Sequence, residues 1–305
     1  MPRLASVLTL AAALVAGAVT VTTPALAASR HFSERPSYYL ALGDSLSVGI
    51  QPNSAGVNTP TSQGYVNDLY AKLAATDHRL RLAPLGCSGE TTGTLINGGI
   101  CTYRGDRNVS GGVGTGHPAG SQLAAAVAFL RRHRNVTLIT IDIGANDLNP
   151  CVVLPADQIA ACVTKVLPQI AANLGTIMTA LRAAGGDHIR IIGMSYYIPE
   201  LAEWLTGPAG QAAAQQSVPL SEAFNQVLAG GYQAAGARVA DVFTAFDSAD
   251  FTNQVTLPGI GTVPQNVANI CLWTWECVPP PQGPNEHANA AGYAVIAQAF
   301  LAADQ

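Results

Sequence analysis

The chain has 305 residues, 49% of them hydrophobic and only 11% charged. That is enough for one large α/β domain or two small ones, and too apolar for a long disordered tail or a coiled coil. The formal net charge of −4 comes with no basic run and no acidic tail, which excludes nucleic acid as a partner.

The first residues read as an export signal rather than as part of the fold. Arg3 gives a positive start, Leu4 to Val19 is almost unbroken apolar sequence, and Ala25-Leu26-Ala27 is a small-x-small cleavage pattern. Thr20, Thr22, Thr23 and Pro24 interrupt the run before it reaches the roughly 20 apolar residues a bilayer core requires. The expectation is a signal peptide over 1–28, cut after Ala27 or Ala28, and one secreted domain over 29–305.

Tyr38 to Leu42 is the first strand candidate and ends at the turn Gly43-Asp44-Ser45. Leu80 to Leu85 follows, weakened by Pro84, and leads into Gly86. Leu123 to Leu130 reads as a helix. Val136 to Ile143 is a β-branched strand ending in Gly144-Ala145-Asn146-Asp147. From Ile159 to Leu181 apolar residues recur at helical spacing, and Pro168 is expected to kink or split that helix. His188 to Gly193 is a fourth strand, Val218 to Tyr232 a helix, Ala237 to Phe243 a fifth strand and Ala288 to Leu301 a final helix. Five strands alternating with helices predict a parallel sheet covered on both faces. Asn97 to Gly120 and Thr244 to Pro284 break the alternation and read as long loops.

Six cysteines fall into three close pairs, so an exported chain is expected to form Cys87–Cys101, Cys151–Cys162 and Cys271–Cys277. No Cys-x-x-Cys repeat or His-x-x-x-His cluster supports a metal. Trp273 and Trp275, inside the last pair, are read as packing under their loop rather than lining a pocket.

Ligands of an open parallel sheet bind beyond the carboxyl ends of its strands. Three of those ends carry Ser45, the Gly86 to Thr91 turn and the Gly144 to Asp147 turn. Together they offer a nucleophile, a backbone donor at Gly89 and a side-chain donor at Asn146, the set that acyl transfer needs. Among the six histidines, His287 is singled out because it follows Pro279-Pro280-Pro281 and directly precedes the last helix. His117 in the glycine-rich loop stays open as an alternative. Asp44 and Asp147 are read as holding their turns.

Four blocks taken together resemble the SGNH/GDSL hydrolase family: Gly43-Asp44-Ser45-Leu46-Ser47, Cys87-Ser88-Gly89-Glu90-Thr91, Gly144-Ala145-Asn146-Asp147 and His287-Ala288-Asn289-Ala290-Ala291-Gly292-Tyr293. The resemblance runs from about Tyr38 to the C-terminus and is nearest to secreted bacterial esterases, lipases and phospholipases of that family. It implies a three-layer, flavodoxin-like α/β/α fold on a five-stranded parallel sheet. It further implies Ser45 as nucleophile, His287 as base, and an oxyanion hole made by Ser45, Gly89 and Asn146. It implies no cofactor and no metal, a small-molecule or lipid ester as substrate, transient contact with a lipid surface, and a monomer. Many members place an aspartate three residues before the histidine; here that position is Pro284, whose backbone carbonyl is expected to orient His287. Carbohydrate O-acetylesterase, phospholipase and an inactive binding protein on the same scaffold are the competing functions. An α/β-hydrolase lipase is disfavoured because no Gly-x-Ser-x-Gly elbow occurs.

Overall fold

The computed structural model describes residues 35–104, 107–108 and 120–305. The expected signal peptide, His31 and His117 lie outside the described residues.

The central sheet has five parallel strands: β1 Tyr38–Gly43, β2 Arg81–Pro84, β3 Val136–Asp142, β4 Arg190–Met194 and β5 Arg238–Ala240. Their order is β2-β1-β3-β4-β5, as a doubly wound sheet requires. Both faces are covered, so the middles of the strands are mainly apolar: Leu40, Leu42, Ile139, Ile141 and Ile192 are all fully buried. Helices α3 (Thr92–Asn97), α4 (Gln122–Arg132), α5 (Ala156–Gly185) and α6 (Pro208–Ala234) pack against one another on one side. Helices α2 (Tyr65–Ala74) and α8 (Ala290–Ala303) pack together on the other, next to α7 (Gln265–Trp273). No helix among the described residues is long and apolar enough to cross a membrane.

Register decides where the strand ends meet. Gly43 pairs with Asp142 at the carboxyl end of β1 and β3. Beyond β2, Leu85 N–H donates to Ala41 O at 2.8 Å and Cys87 N–H to Gly43 O at 3.0 Å. The turns after β1, β2 and β3 therefore emerge side by side.

Several boundaries differ from those expected, each for a local reason. The strand expected from His188 begins at Arg190, because Arg182 gathers the preceding turn. Its guanidinium donates to Ile189 O at 2.7 Å and to Ala235 O at 2.9 Å. The fifth strand stops at Ala240 because Asp241 caps a helical turn, Val242–Ala245, accepting from Thr244 N–H at 3.1 Å. Helix α5 runs unbroken through Pro168, so the expected split is corrected. Thr164, whose carbonyl loses its donor, and Pro168 are both exposed, so water can take the freed group. The Thr244 to Pro284 stretch contains structure: a hairpin of Gln254–Leu257 with Gly261–Pro264, followed by α7.

All three disulfides form as expected, with sequence separations of 14, 11 and 6. Trp273 packs edge-on to Phe246 at 5.0 Å and joins the core, as expected from its loop.

Candidate active site

The turn after β1 is built around two buried carboxyls. Gly43 has φ +139°, and a Cβ there would lie 2.3 Å from an Asp142 side-chain oxygen, so only glycine fits. Asp44 caps the single helical turn α1 (Ser45–Val48), its Oδ1 accepting from Leu46 N–H at 3.0 Å. Asp142 Oδ2 accepts from Asp44 N–H and Ser47 N–H, both at 3.2 Å, and Tyr65 O–H donates to its Oδ1. Tyr196 O–H donates to Asp44 Oδ2 at 2.7 Å. Burial raises both carboxyls above the usual range. Asp142 stands well above it, because the neighbouring Asp44 charge adds to its burial. Asp142 thus clamps the turn beneath Ser45 through the two backbone N–H groups and the Tyr65 hydroxyl.

Gln122 ties this turn to the next one. Gly43 N–H donates to its Oε1 at 2.6 Å, while its Nε2 donates to Gly43 O at 3.0 Å and to Glu90 Oε2 at 3.1 Å. Gly89 has φ +80° with nothing within 4 Å of a would-be Cβ, an open left-handed turn. Asn146 Nδ2 donates to Glu90 O at 3.0 Å, and its Oδ1 accepts from Asn149 Nδ2 at 3.0 Å. Its amide is thereby oriented with one N–H left over. Asp147 accepts from Thr92 N–H at 2.8 Å and Thr92 O–H at 2.6 Å, the turn-holding role expected of it. The backbone N–H groups of Ser45 and Gly89 have no partner among the described residues.

His287 is 5% exposed and is held by its own loop. Tyr197 O–H donates to Glu286 O at 2.6 Å, and Trp275 N–H donates to His287 O at 3.1 Å. The expected Pro284 carbonyl is not the partner of the ring. Asn285 Oδ1 lies 2.8 Å from His287 Nδ1 and also accepts from His287 backbone N–H at 3.1 Å. Because a backbone N–H only donates, the Asn285 atom there is its oxygen, and Nδ1 must carry the proton. Asn285 Nδ2 in turn donates to Asn58 Oδ1 at 2.8 Å. A short side chain two residues before a backbone N–H folds back onto it readily, which is why Asn285 displaces the carbonyl. Glu286 Oε1 is farther from Nδ1, at 3.7 Å. Burial lowers the His287 pKa below its ordinary value, and the Glu286 and Asp44 charges counter this in part.

Ser45, Asn146, Pro284 and His287 all line one cavity of about 780 Å³. That volume is typical of small-molecule sites. Leu148, Val152, Leu205 and Phe224 supply much of its apolar wall. Gly89 is exposed, and Asn146 bonds to the Glu90 carbonyl next to it. Among the described histidines only His287 lines this cavity. His78 and His188 are exposed, and His133 packs on the Tyr38 and Phe129 rings at 4.5 and 4.3 Å. The four sequence blocks, separated by up to 242 positions in the chain, converge on one site through strand register, Gln122 and Asn146.

The family model for the GDSL-like lipase/acylhydrolase family matches residues 41–295, which takes in all four blocks. The chain belongs to this family. It is accordingly a carboxylic ester hydrolase of GDSL type. Its fold is shared with the extracellular lipase of Streptomyces rimosus, at 19% identity and TM-score 0.52, with 88% of this chain and 99% of that one covered. Phospholipase A1 from Streptomyces albidoflavus aligns at 16% identity and TM-score 0.50, covering 88% and 99%. A GDSL-like lipase of Parabacteroides merdae aligns at 15% identity and TM-score 0.52, covering 88% and 95%. Comparison with curated proteins finds no match.

Sequence reasoning missed Asp142, Gln122, Tyr196 and Asn285. The first three are core-facing polar groups whose partners are distant in the chain, and no local spacing marks them. Asn285 was legible in principle, since an Asx residue two before a donor is a known turn former.

Proposed function

We propose that the chain is a secreted esterase or lipase that cleaves carboxylic esters by acyl transfer through Ser45 and His287. The observation that carries this reading is the Nδ1 bond of His287 to Asn285 Oδ1. It fixes the tautomer in which Nε2 is the acceptor, on a ring that lines the same cavity as Ser45. Ser45 Oγ attacks the ester carbonyl as Nε2 takes its proton. The oxyanion that forms is met by Ser45 N–H, Gly89 N–H and the remaining Asn146 N–H. His287 then returns the proton to the leaving alkoxide, and water, activated the same way, releases the acid. Asn285 acts as the orienter that an aspartate provides elsewhere, without its charge. The three disulfides support an oxidising, extracellular location. The apolar wall suits an acyl chain.

A panel of p-nitrophenyl esters of increasing acyl length, with Ser45→Ala as blank, tests the reading. Hydrolysis of none, or equal hydrolysis by the blank, would overturn it.

Two further outcomes are expected. Losing a neutral hydrogen bond costs about 0.5–1.5 kcal/mol, so Asn285→Ala lowers kcat by up to about tenfold. Pro284→Ala leaves the ring's partner in place and keeps kcat near wild type; the reverse ranking would restore the carbonyl as orienter. The acid limb of kcat/KM reports the free enzyme's base. Because burial lowers the His287 pKa, the limb should have its midpoint below 6.5 on a neutral ester. Glu286→Gln removes a charge that favours the imidazolium, so the midpoint moves lower still while kcat at pH 8 is mostly retained. A midpoint above 6.5, or one moved upward by Glu286→Gln, contradicts this assignment.

A further inference from the structure

The cavity carries charge of one sign. Glu200, Glu203, Glu276 and Glu286 line it, and no Lys or Arg does among the described residues. None of the four forms an ion pair with a Lys or Arg among the described residues. One of them lies close to the base, with a second on the segment facing it. The bond from Trp275 N–H to His287 O sets Glu276 beside Glu286, and Glu286 Oε1 is 3.7 Å from His287 Nδ1. The carboxylates act on one another: Glu276 is pushed up to about 7 by burial, then by Glu286, Glu200 and Glu203. Glu200, Glu203 and Glu286 are exposed at the cavity and Glu276 is half-buried. Like charges gathered around a concave site favour a positive guest and oppose a negative one.

The chemistry places that guest. His287 hands its proton to the departing alkoxide, so the alcohol part of the ester lies on the His287 side of the cavity. Glu286 borders His287 and Glu276 lies on the segment facing it, while Leu148, Val152 and Phe224 give the same cavity an apolar wall that suits the acyl part. We infer that the site selects esters whose alcohol part carries a positive charge, such as a quaternary ammonium, and disfavours anionic ones. The glutamates create no separate site; they set the specificity of the one that holds Ser45 and His287. The inference rests on the ester-hydrolase reading above.

Three acetate esters test it at pH 8 and low ionic strength. They are acetylcholine, its neutral isostere 3,3-dimethylbutyl acetate, and the anionic 2-acetoxyethanesulfonate. With Glu286 3.7 Å from the His287 ring and three more glutamates lining the cavity, kcat/KM for acetylcholine should exceed the neutral ester's by about tenfold. The sulfonate should fall below the neutral ester by a similar factor, and about 0.5 M salt should shrink both ratios. The variant Glu203→Gln/Glu276→Gln/Glu286→Gln should bring the three values together. The neutral ester is the internal reference, so a slowed or partly unfolded variant still reports a ratio. The salt titration of the wild type needs no variant at all. Hydrolysis of the neutral ester with acetylcholine no faster, or an unchanged ratio in the triple variant, overturns charge selection and leaves the ester-hydrolase reading standing. Hydrolysis of none of the three overturns charge selection, and a refusal of the p-nitrophenyl panel as well overturns both.

Discussion

Ser45→Ala should reduce kcat by roughly 10⁵–10⁶-fold, the size of loss seen when the nucleophile of an acyl-transfer site is removed. The scaffold gives reason to expect that the loss is purely chemical. The helical turn that Ser45 opens is held by Asp44 Oδ1 on Leu46 N–H and by Asp142 Oδ2 on Ser47 N–H, not by the Ser45 hydroxyl. Alanine therefore removes the reacting atom and leaves the turn. A fluorophosphonate should label Ser45 stoichiometrically in the wild type and leave the variant unlabelled, with circular dichroism unchanged. The competing serines are poorly placed. Ser195 is 4% exposed, its hydroxyl lies 3.2 Å from Asp241 Oδ1, and it accepts from Phe243 N–H at 3.1 Å. Ser88 precedes Gly89 in the turn proposed to hold the oxyanion. Mass-spectrometric mapping of the adduct to either one would displace Ser45 from the mechanism.

Much of this architecture was legible because strands and helices alternate with different periods, and because each long strand ends in a glycine turn. Val136 to Asp142 and Tyr38 to Gly43 announce themselves by β-branched and aromatic runs. The rule that ligands collect at the carboxyl ends of parallel strands pointed to the turns of Ser45, Gly89 and Asn146, and the register of Gly43 with Asp142 brings the first and third of these turns together. His287 and the catalytic roles came from its place before the last helix and from the family resemblance. What escaped was of another kind. Asp142 reads as an ordinary polar residue at a strand end, yet it organises three donors beneath the nucleophile turn. Its partner Tyr65 is 77 positions away, so no window of sequence contains the interaction. Gln122 looks like a helix-start residue, but its amide brackets the Gly43 backbone and reaches Glu90. Sequence patterns report faces and periods; buried polar networks depend on which faces meet. The orienter of His287 was misread for a third reason. The family's spacing drew attention to the position three before the histidine, whereas Asn285, two before, reaches both the ring and the backbone of His287.

Asn146→Ala should lower kcat by about 10²–10³-fold, the usual consequence of deleting one oxyanion donor from a pre-organised hole. The pre-organisation is visible in how the amide is used. Nδ2 spends one proton on Glu90 O at 3.0 Å, and Oδ1 is taken by Asn149 Nδ2 at 3.0 Å, so the side chain cannot flip without breaking both. The proton left over therefore has a fixed direction, on a side chain that lines the cavity shared by Ser45 and His287. A donor held that way stabilises charge that appears only in the transition state, so the loss should fall on kcat while KM changes little. The turn itself should survive, because Asp147 keeps it anchored through the N–H and O–H of Thr92. Asn149→Ala is the control. It removes the bond to Oδ1 but not the donor, so it should cost far less than Asn146→Ala. Steady-state kinetics on a p-nitrophenyl ester separates the cases. A loss below about threefold for Asn146→Ala is too small for an oxyanion donor and would remove it from the hole. An equal loss in both variants would mean that the pair matters for the shape of the turn rather than for the charge.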